Sequence, residues 1–335
     1  MDSPLLTLPG AVPADPPDEG VAAHYGDPFR EQKALAEAAG VVDRSNREVL
    51  TVAGPDRLSW LHSLTTQHLA SLQPLRGAEA LVLSPHGHVE HHLSLLDDGE
   101  TTWLDVEPRT AAELRGYLDS MRFLLRVEVD VVTAQWAVVS LLGPDTDSAL
   151  SRHFGVQVGR TPYAVQPLGD GGFARRMPGP GDDVVDLLLP RARLVDVGSV
   201  AGAAPAGSWA FEALRVAARL PRLRHETDHR TIPHEVGWLE TAVHLNKGCY
   251  RGQETVARVH NLGRPPRRLV LLHLDGGAEA LPRTGDLVES GGARVGFVTS
   301  AARHYELGPI ALALVKRTTP DEVELTAGGM PAKIG

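Results

Sequence analysis

The sequence predicts an α+β protein made of two blocks of antiparallel strands and helices, followed by a small closed β domain. Short strand patterns are joined by tight turns, PHG at residues 85–87 and DDGE at residues 97–100, so neighbouring strands should be antiparallel. Helical patterns lie outside these strand runs, which argues against a parallel α/β sheet. Beyond Asn261, short apolar strands alternate with glycine-rich turns, which is typical of a small β-barrel.

The first block is predicted from residue 29 onward. Residues 29–39 have the periodicity of a helix that ends at Gly40, and residues 48–53 read as a strand. Pro55 opens a second helix, with leucines three residues apart. The remaining elements of this block are strands at 80–84, 89–96 and 101–106, a long helix at 109–125, and a strand at 127–132.

The second block is predicted to begin with a strand at residues 135–142. Strands near Phe173 and at residues 182–189 follow, and then a helix at residues 208–218. A chain of 335 residues exceeds the roughly 250–300 at which one core stops growing, so several domains are expected. We predict a flexible proline-rich lead-in at 1–28, α+β domains at 29–134 and 135–262, and the β-barrel at 263–335.

Composition and charge exclude several functional classes. The formal net charge of −9 argues against a protein that coats nucleic acid backbones, and we expect no direct nucleic acid binding. The single cysteine excludes an intramolecular disulfide and a self-contained iron–sulfur site, and it indicates a reducing compartment. No apolar run reaches the roughly 18 residues of a membrane span, and the N-terminus lacks the features of a signal peptide. We therefore expect a cytoplasmic protein without membrane contact.

HETDH, residues 225–229, matches the H-E-x-x-H pattern in which two histidines on one helix face bind zinc. Pro221 and Pro233 bracket the segment and leave room for barely three helical turns. Arg224 and Arg230 would place positive charge beside the metal. We interpret the match as accidental, on a polar loop, and predict no metal site.

PHGHVEHH, residues 85–92, holds four histidines around the predicted hairpin turn. Because side chains alternate along a strand, His91 and His92 should point to opposite faces, which disfavours a single metal site. We interpret the segment as a hairpin whose polar face carries histidines. The alternative is that His91 or His92 acts as a general base or contacts a ligand.

NKGCYRGQETVARVHNLG, residues 246–263, contains the only cysteine. A helical pattern from Gly252 to about Val259 places Cys249 just before a helix N-terminus, where the helix dipole favours a thiolate. Lys247, two residues earlier in an extended stretch, should lie on the same side and add positive charge. The sequence leaves two interpretations open: an activated thiol, or a buried cysteine that only contributes to packing.

KGCYRGQE, residues 247–254, resembles the signature of the YgfZ family of folate-binding proteins, which is related to the glycine-cleavage T-protein, an aminomethyltransferase. The resemblance extends over nearly the whole chain. Residues 40–66 resemble the N-terminal block of the family, and residues 84–96 resemble its central hairpin. Residues 214–221, LRVAARLP, resemble the stretch that lines its pterin pocket, and residues 291–317 resemble its C-terminal barrel.

The resemblance implies a three-domain ring of the glycine-cleavage T-protein type around a channel that holds tetrahydrofolate. It also implies an accessory function in iron–sulfur cluster assembly or repair, with iron–sulfur proteins or assembly factors as partners and tRNA-modifying enzymes among the clients. Lys247 would meet polar or glutamyl groups of the folate, and Cys249 would supply a thiolate for redox or transient cluster chemistry. The other residues implied in the pocket are Tyr250, Gln253, Glu254, Arg215 and Glu235.

The chain departs from the aminomethyltransferase pattern at two places. That enzyme has a carboxylate pair after the hairpin glycine, whereas residues 87–93 read GHVEHHL, so histidine takes the position of the catalytic aspartate. Where the enzyme has glutamate and glycine in LEAGM, this chain has Ala217 and Arg219. A methyl group cannot accept the paired N–H donors of a pterin, which would cost about 1–3 kcal/mol. We therefore expect a substitute carboxylate, such as Glu235 or Glu254, or weaker folate binding.

These departures rank the functional hypotheses. Aminomethyl transfer by the usual mechanism is not expected, and the leading hypothesis is a folate-binding accessory protein for iron–sulfur enzymes. One alternative is a folate-dependent one-carbon transferase or demethylase, which needs a carboxylate, His91 or His92 at the reactive end of the folate. The other is a scaffold that has lost folate binding through Ala217.

Overall fold

The computed structural model describes residues 1–169, 171–277 and 280–335. The α-helices in these ranges are α1 (Pro28–Glu37), α2 (Arg57–Leu64), α3 (Ala111–Ser120), α4 (Thr146–Phe154), α5 (Leu194–Val197), α6 (Ser208–Ala217), α7 (Trp238–Ala242) and α8 (Gln253–Leu262). Single 3-10 turns occur at Pro4–Thr7, Arg191–Arg193 and Pro233–Glu235. None of the helices in the described ranges combines the length and apolar character needed to cross a bilayer.

The strands follow the chain in this order: β1 (Val12–Pro13), β2 (Ala22–His24), β3 (Gly40–Asp43), β4 (Glu48–Ala53), β5 (Arg76–Leu83), β6 (Val89–Asp97), β7 (Thr101–Val106), β8 (Glu128–Val131), β9 (Trp136–Leu142), β10 (Val165–Pro167), β11 (Phe173–Gly179), β12 (Gly181–Pro190), β13 (Ala204–Ala206), β14 (Arg267–Leu274), β15 (Leu287–Ser290), β16 (Ala293–His304), β17 (Gly308–Lys316), β18 (Leu325–Ala327) and β19 (Met330–Ile334). They form two larger sheets, a closed barrel and the short ribbon β1–β2.

The first sheet has the strand order β5-β6-β7-β4-β8 and is antiparallel throughout. Leu61 of α2 and Leu114 of α3 pack with Leu50, Leu93 and Leu104 of the sheet, so both helices cover the same face. The predicted strands at residues 48–53 and 101–106 are confirmed with the same bounds. An antiparallel sheet with helices on one face is the predicted α+β arrangement.

Helix α3 is shorter than the helix predicted at residues 109–125. Arg109 and Phe123 have φ values of +62° and +47°, a left-handed conformation that does not continue a right-handed helix. Phe123 and Leu124 are exposed, although their apolar side chains extended the helical pattern of the sequence. The periodicity therefore predicted the helix, and the backbone at these two residues sets its limits.

The second sheet has the order β10-β11-β12-β9-β3-β13 and contains a strand from the predicted first domain. β3 pairs antiparallel with β9 and parallel with β13, so residues 40–43 belong to this sheet although the predicted first domain spans 29–134. All four residues of β3 are buried, so its sequence GVVD lacks the alternation that marks a half-buried strand. The β3–β13 pair also adds one parallel ladder to a sheet predicted as antiparallel.

The chain returns to the first sheet after α6. Leu81 and Leu83 of β5 pack against three residues of the returning chain: Trp238 of α7, Tyr250 of the loop before α8, and Val256 of α8. The KGCYRGQE segment, predicted within the second domain at 135–262, therefore lies against the first sheet. Helix α6 packs through Ala213 and Val216 on apolar residues of the barrel, so it connects the α+β part to the barrel.

The C-terminal domain is a closed barrel with the strand order β14-β17-β16-β15-β18-β19. Its interior is filled by apolar side chains, among them Leu272, Val298 and Ala313. The barrel and the two α+β units confirm the predicted fold class.

Residues 1–28, predicted as a flexible lead-in, are instead packed on the body of the protein. Leu5 and Ala23 are buried, and β1 pairs with β2. Asp18 accepts hydrogen bonds from Arg222 at 2.8 Å and from Asn46 at 3.0 Å. The proline and acidic content indicated flexibility, but a charged contact and a few apolar side chains hold the segment in place.

Candidate functional site

A cavity of about 190 Å³ lies between the two larger sheets and the segment that follows α6. Its walls come from β5, β6, the β11–β12 hairpin, α6 and the residues around 219–222 and 236–238. The volume is below the roughly 300–1,000 Å³ of sites that enclose a drug-sized ligand, so the cavity can receive one end of such a ligand. We call it the central cavity.

One wall of the central cavity is formed by part of a network of arginine–carboxylate pairs that continues into the protein behind it. Arg47 lies 2.9 Å from Asp105 and 2.5 Å from Glu107, and Arg222 lies 2.8 Å from Glu107. The members of the network are Arg44, Arg47, Arg175, Arg215, Arg222, Asp18, Asp105, Glu107, Asp186, Glu212 and Glu226. Because every charge has an opposite partner, the network can stay ionised although most of it is buried.

The pKa values of the network carboxylates show the effect of this pairing. Burial opposes their ionisation, but the guanidinium groups of Arg222 and Arg47 outweigh it and hold the pKa of Glu107 well below its usual range. Arg215 and Arg222 likewise outweigh the burial of Glu212 and lower its pKa to about 2. These carboxylates are therefore ionised at neutral pH.

Strand pairing places the network between the two sheets. Arg175 on β11 is directly opposite Asp186 on β12, and Arg175 also lies 2.6 Å from Asp105 of β7 in the other sheet. The backbone N–H of Gly77 on β5 donates to the carbonyl of Tyr163 at 2.8 Å, which joins the sheets a second time. The central cavity thus has walls that are fixed to each other.

A second wall of the central cavity carries an aromatic surface and an acid–imidazole pair. The His92 ring stacks on Trp238 with centroids 4.5 Å apart and an interplanar angle of 11°. His92 Nε2 lies 3.3 Å from Glu79 Oε1, and the Tyr163 hydroxyl donates to Glu79 Oε2 at 2.8 Å. This wall can stack a flat ring and exchange a proton with it.

His91 and His92 point to opposite faces of β6, as strand alternation predicts. His92 lines the central cavity, whereas the charged groups near His91 are Glu113 and Arg224. Burial lowers the pKa of His91 to about 4, so its ring is neutral at neutral pH. Among the described residues, no group of three histidine, cysteine, aspartate or glutamate side chains is arranged to hold a metal ion.

Comparison with known proteins places this fold. Residues 25–165 match the GCVT N-terminal domain, and residues 267–334 match the glycine cleavage T-protein C-terminal barrel domain. The aminomethyltransferase of Rubrobacter xylanophilus is 30% identical over 320 residues, which cover 91% of this chain and 84% of that protein. The aminomethyltransferase of Geobacillus kaustophilus is 31% identical over 307 residues, covering 85% and 81%. The chain belongs to the glycine cleavage T-protein superfamily.

A solved structure agrees with this assignment at the level of the fold. The crystal structure of the glycine cleavage system aminomethyltransferase T from Bartonella henselae superimposes with a TM-score of 0.84 at 19% identity. The superposition covers 97% of this chain and 92% of that chain, so all three domains are shared.

Ala217 and Arg219, where the aminomethyltransferase pattern has glutamate and glycine, lie at the end of α6. Ala217 lines a separate cavity of about 390 Å³ with Leu35 and Leu214, and is absent from the lining of the central cavity. Arg219 does line the central cavity, and its φ of +57° is the left-handed conformation that a glycine favours. Its guanidinium donates to the carbonyl of Gly335 at 2.6 Å.

Arg215, a predicted cofactor-binding residue, lines the central cavity with its guanidinium already occupied by protein groups. It contacts Glu212 at 2.7 Å, Glu226 at 3.0 Å and the Ser300 hydroxyl of β16 at 2.9 Å. In this structure Arg215 therefore joins α6 to the barrel.

Lys247 is buried, and its ammonium donates to three backbone carbonyls near the C-terminal end of α2. These belong to Thr65 at 2.5 Å, Gln67 at 3.2 Å and His62. Burial lowers the pKa of Lys247 to about 8. Cys249, two residues later, is a free and exposed cysteine, and neither residue lines the central cavity.

The other predicted pocket residues also lie outside the lining of the central cavity. Tyr250 is buried against the first sheet, and Lys247 Nζ lies 5.1 Å from its ring centroid. Gln253 and Glu254 begin α8, where Glu254 is exposed. Glu235 is buried and lies 2.8 Å from Arg267.

Two glutamates of this region have buried contacts that the sequence did not predict. Glu226, the glutamate of the HETDH match, is fully buried and accepts a hydrogen bond from the Ser300 hydroxyl at 2.5 Å, in a segment that forms turns. The sequence gives one indication of a special role for Glu79: it is the single acidic residue in the otherwise apolar strand pattern GAEALVL, residues 77–83. A charged residue in such a strand either faces solvent or has a partner, and only the structure shows His92 next to it.

Proposed function

We propose that the protein binds tetrahydrofolate at the central cavity and acts as a YgfZ-type accessory protein that supports iron–sulfur enzymes in cluster assembly or repair. Superfamily membership and the KGCYRGQE segment support this proposal. The observation that carries it is the composition of the cavity. It has aromatic and cationic walls suited to a flat anionic ligand, while histidine occupies the catalytic aspartate position and Ala217 lines another cavity.

Different residues of the central cavity would contact different parts of the ligand. Trp238 and Phe211 offer apolar surface to a ring, and the paired arginines form a rigid wall. Arg219 contacts only a backbone carbonyl among its hydrogen bonds in the described residues, so it is available for an anionic group of the ligand. Folate carries such groups on its glutamyl part, which would extend from the cavity past Arg219.

Calorimetric titration with tetrahydrofolate under anaerobic conditions tests the binding step. We expect saturable binding at one site per chain, and Trp238→Leu should weaken it about tenfold or more because the stacking surface is lost. Trp209→Leu is the matched control, since Trp209 is about half exposed and lies outside the cavity. No saturable binding to the unmodified protein would contradict the proposal and favour a scaffold without folate.

Cys249 is the residue proposed for the accessory chemistry. It is exposed just before α8, on a loop that Lys247 anchors to α2, so a partner protein can reach the thiol. Cys249→Ser should reduce the activity of iron–sulfur enzymes in cells that depend on this protein to the level of cells that lack it. Gly248→Ala, which meets no atom within 4 Å, is the control for disturbance of the loop. Equal support by Cys249→Ser and the unmodified protein would refute the role of the thiol.

A second candidate function, folate-dependent one-carbon transfer or demethylation, is favoured by one observation. His92 and Glu79 form an acid–imidazole pair that lines the central cavity. Incubating the purified protein with tetrahydrofolate and either methylated amines or aminomethyl donors tests this function. Turnover that His92→Asn abolishes would support it, and no turnover with any donor would eliminate it.

A further inference from the structure

A carboxylate lies next to the histidine that takes the position of the catalytic aspartate. β5 and β6 are neighbours, with Leu81 opposite His92 and Glu79 opposite Ser94, so Glu79 and His92 are diagonal neighbours. Residues two apart on a strand share a face, and both side chains line the central cavity. The adjacent strand therefore supplies an acidic group to this part of the cavity.

Glu79 differs from the other two carboxylates that line the cavity. Glu107 and Asp186 each contact arginines. Glu79 instead contacts three groups without a permanent charge, namely Tyr163, Thr241 and His92. Burial opposes its ionisation, but His92 and the two hydroxyl groups outweigh burial and hold the pKa of Glu79 below its usual range. Its negative charge is thus directed at the imidazole.

The position of the His92 ring is determined from two sides. Trp238 stacks on one face of the ring, and Glu79 Oε1 lies 3.3 Å from Nε2. A carboxylate beside one ring nitrogen favours hydrogen on that nitrogen and leaves the other as the acceptor. Nε2 is buried and has Glu79 Oε1 as its near neighbour, at 3.3 Å but without the alignment of a full hydrogen bond, so a small rotation of either side chain would complete the contact and leave Nδ1 for a ligand.

The remaining charges around the cavity do not compete for the imidazole. The charged groups on the facing elements are Arg44, Arg47, Arg215, Arg219, Arg222, Glu107 and Asp186. Apart from Arg219, the arginines of this set are paired with carboxylates. Glu79 is therefore the charge in contact with His92.

We propose that Glu79 is a positioning residue for His92, and that His92 exchanges a proton with an amine nitrogen of the ligand in the central cavity. The inference rests on the proposed binding of tetrahydrofolate and deepens the second candidate function. In the proton step, the ligand amine nitrogen forms a bond to the methylene carbon of an aminomethyl donor while the bond from that carbon to its leaving group breaks, and the leaving group departs with the bonding electron pair. The N–H bond of the ligand amine breaks as well, and its proton forms an N–H bond at His92 Nδ1. The resulting imidazolium lies 3.3 Å from the Glu79 carboxylate, which compensates its charge.

Nitrogen NMR of histidine-labelled protein tests both parts, with His92→Asn to assign the signal. The unmodified protein should show His92 protonated at Nε2, and tetrahydrofolate, whose ring and chain amines carry hydrogen, should shift the Nδ1 resonance. Glu79→Gln should give a mixture of the two tautomers and lose at least half of the response to tetrahydrofolate. If Glu79→Gln does not fold, Glu79→Asp withdraws the carboxylate by one methylene and should give an intermediate change.

Glu322→Gln is the matched control, since it removes the same charge from an exposed residue outside the cavity. It should leave the His92 spectrum unchanged. A His92 spectrum that is the same in Glu79→Gln and the unmodified protein would overturn the positioning role. Tetrahydrofolate that binds without changing Nδ1 would overturn the proton exchange. Absence of binding would overturn the proposed function instead, while the tautomer comparison without ligand would still decide the role of Glu79.

Discussion

Arg219 combines an unfavourable backbone conformation with a useful position. Its φ of +57° is left-handed, and such a conformation costs a non-glycine residue about 1–2 kcal/mol. Glycine adopts this conformation without the steric penalty that a Cβ brings. The backbone of Arg219 is therefore strained, and its guanidinium lies at the edge of the central cavity.

Two substitutions at Arg219 separate strain from side-chain contacts. Arg219→Gly and Arg219→Ala both remove the hydrogen bond to Gly335, but only glycine relieves the backbone. The free energy of unfolding of Arg219→Gly should exceed that of Arg219→Ala by about 1 kcal/mol. Urea unfolding at neutral pH measures the difference, and equal stabilities would show that the backbone is not strained.

Lys247 illustrates how a signature residue can serve the fold. Three carbonyls near the end of α2 surround its ammonium, and a cation at a helix C-terminus is favourable. The sequence predicted Lys247 beside Cys249 from strand geometry, but the carbonyls of a distant helix leave no trace in the local pattern.

The pKa of Lys247 predicts a pH dependence of stability. Burial lowers it from 10.5 to about 8, so the unfolded chain binds the proton more tightly and the buried charge costs stability at neutral pH. Stability should therefore rise between pH 8 and about 10.5. Relative to Lys247→Met, the free energy of unfolding of the unmodified protein should gain up to about 2 kcal/mol by pH 9.5. A difference independent of pH would show that the pKa is not lowered.

The hairpin between β5 and β6 and the start of α8 meet backbone to backbone. Gly252 has a φ of +81°, and a Cβ there would lie 2.6 Å from the Ser84 carbonyl oxygen and 2.8 Å from Gly87 Cα. The structure shows that the contact orients α8 and the loop that carries Cys249.

Gly252→Ala should lower the free energy of unfolding by about 2–4 kcal/mol, because a left-handed residue and a steric clash add together. Gly248→Ala, four residues earlier, introduces a Cβ with nothing within 4 Å and should change stability by less than about 0.5 kcal/mol. Denaturant unfolding of both variants provides the comparison. Similar changes in the free energy of unfolding for the two variants would mean that the hairpin moves to accommodate the added Cβ without loss of stability.

At the scale of elements, the sequence predicted strands that turn residues delimit, including the almost fully buried β9, and missed the short strand β3. The strands at 48–53 and 101–106 were predictable because turns with glycine or aspartate delimit them. β3 was not, since four buried residues offer no periodicity. Pairing partners such as β9 and β13 are set by tertiary contacts, which no local pattern encodes.

At the scale of the whole molecule, the N-terminal segment is held to the arginine–carboxylate network. Asp18 contacts Arg222, which itself contacts Glu107 and Glu212. Asp18→Asn should speed amide hydrogen exchange of residues 1–24 about tenfold or more, because a hydrogen bond between charged groups is lost. The barrel should be unaffected. Asp15→Asn, at an exposed site, is the control, and equal exchange in both variants would contradict the proposed anchor.

The central cavity was predictable as a feature of the family and not as a set of residues. The resemblance implied a channel and named Arg215, which does line it. It could not supply Glu79, which reaches His92 from another strand, or show that Ala217 lines a different cavity. Such contacts depend on how the sheets and α6 pack, which sequence spacing does not determine.

The placement of β3 has a consequence for synthesis on the ribosome. The strands of the first sheet lie within residues 48–131 and can pair soon after they emerge, whereas β3 is made earlier and pairs with β9 and β13. At about 5–20 residues per second, β13 follows β3 by roughly 10–30 seconds. Val41 and Val42, buried in the finished protein, lack one partner strand until β9 is made and the other until β13 is made. The start of the chain is thus among the last parts to reach its final place.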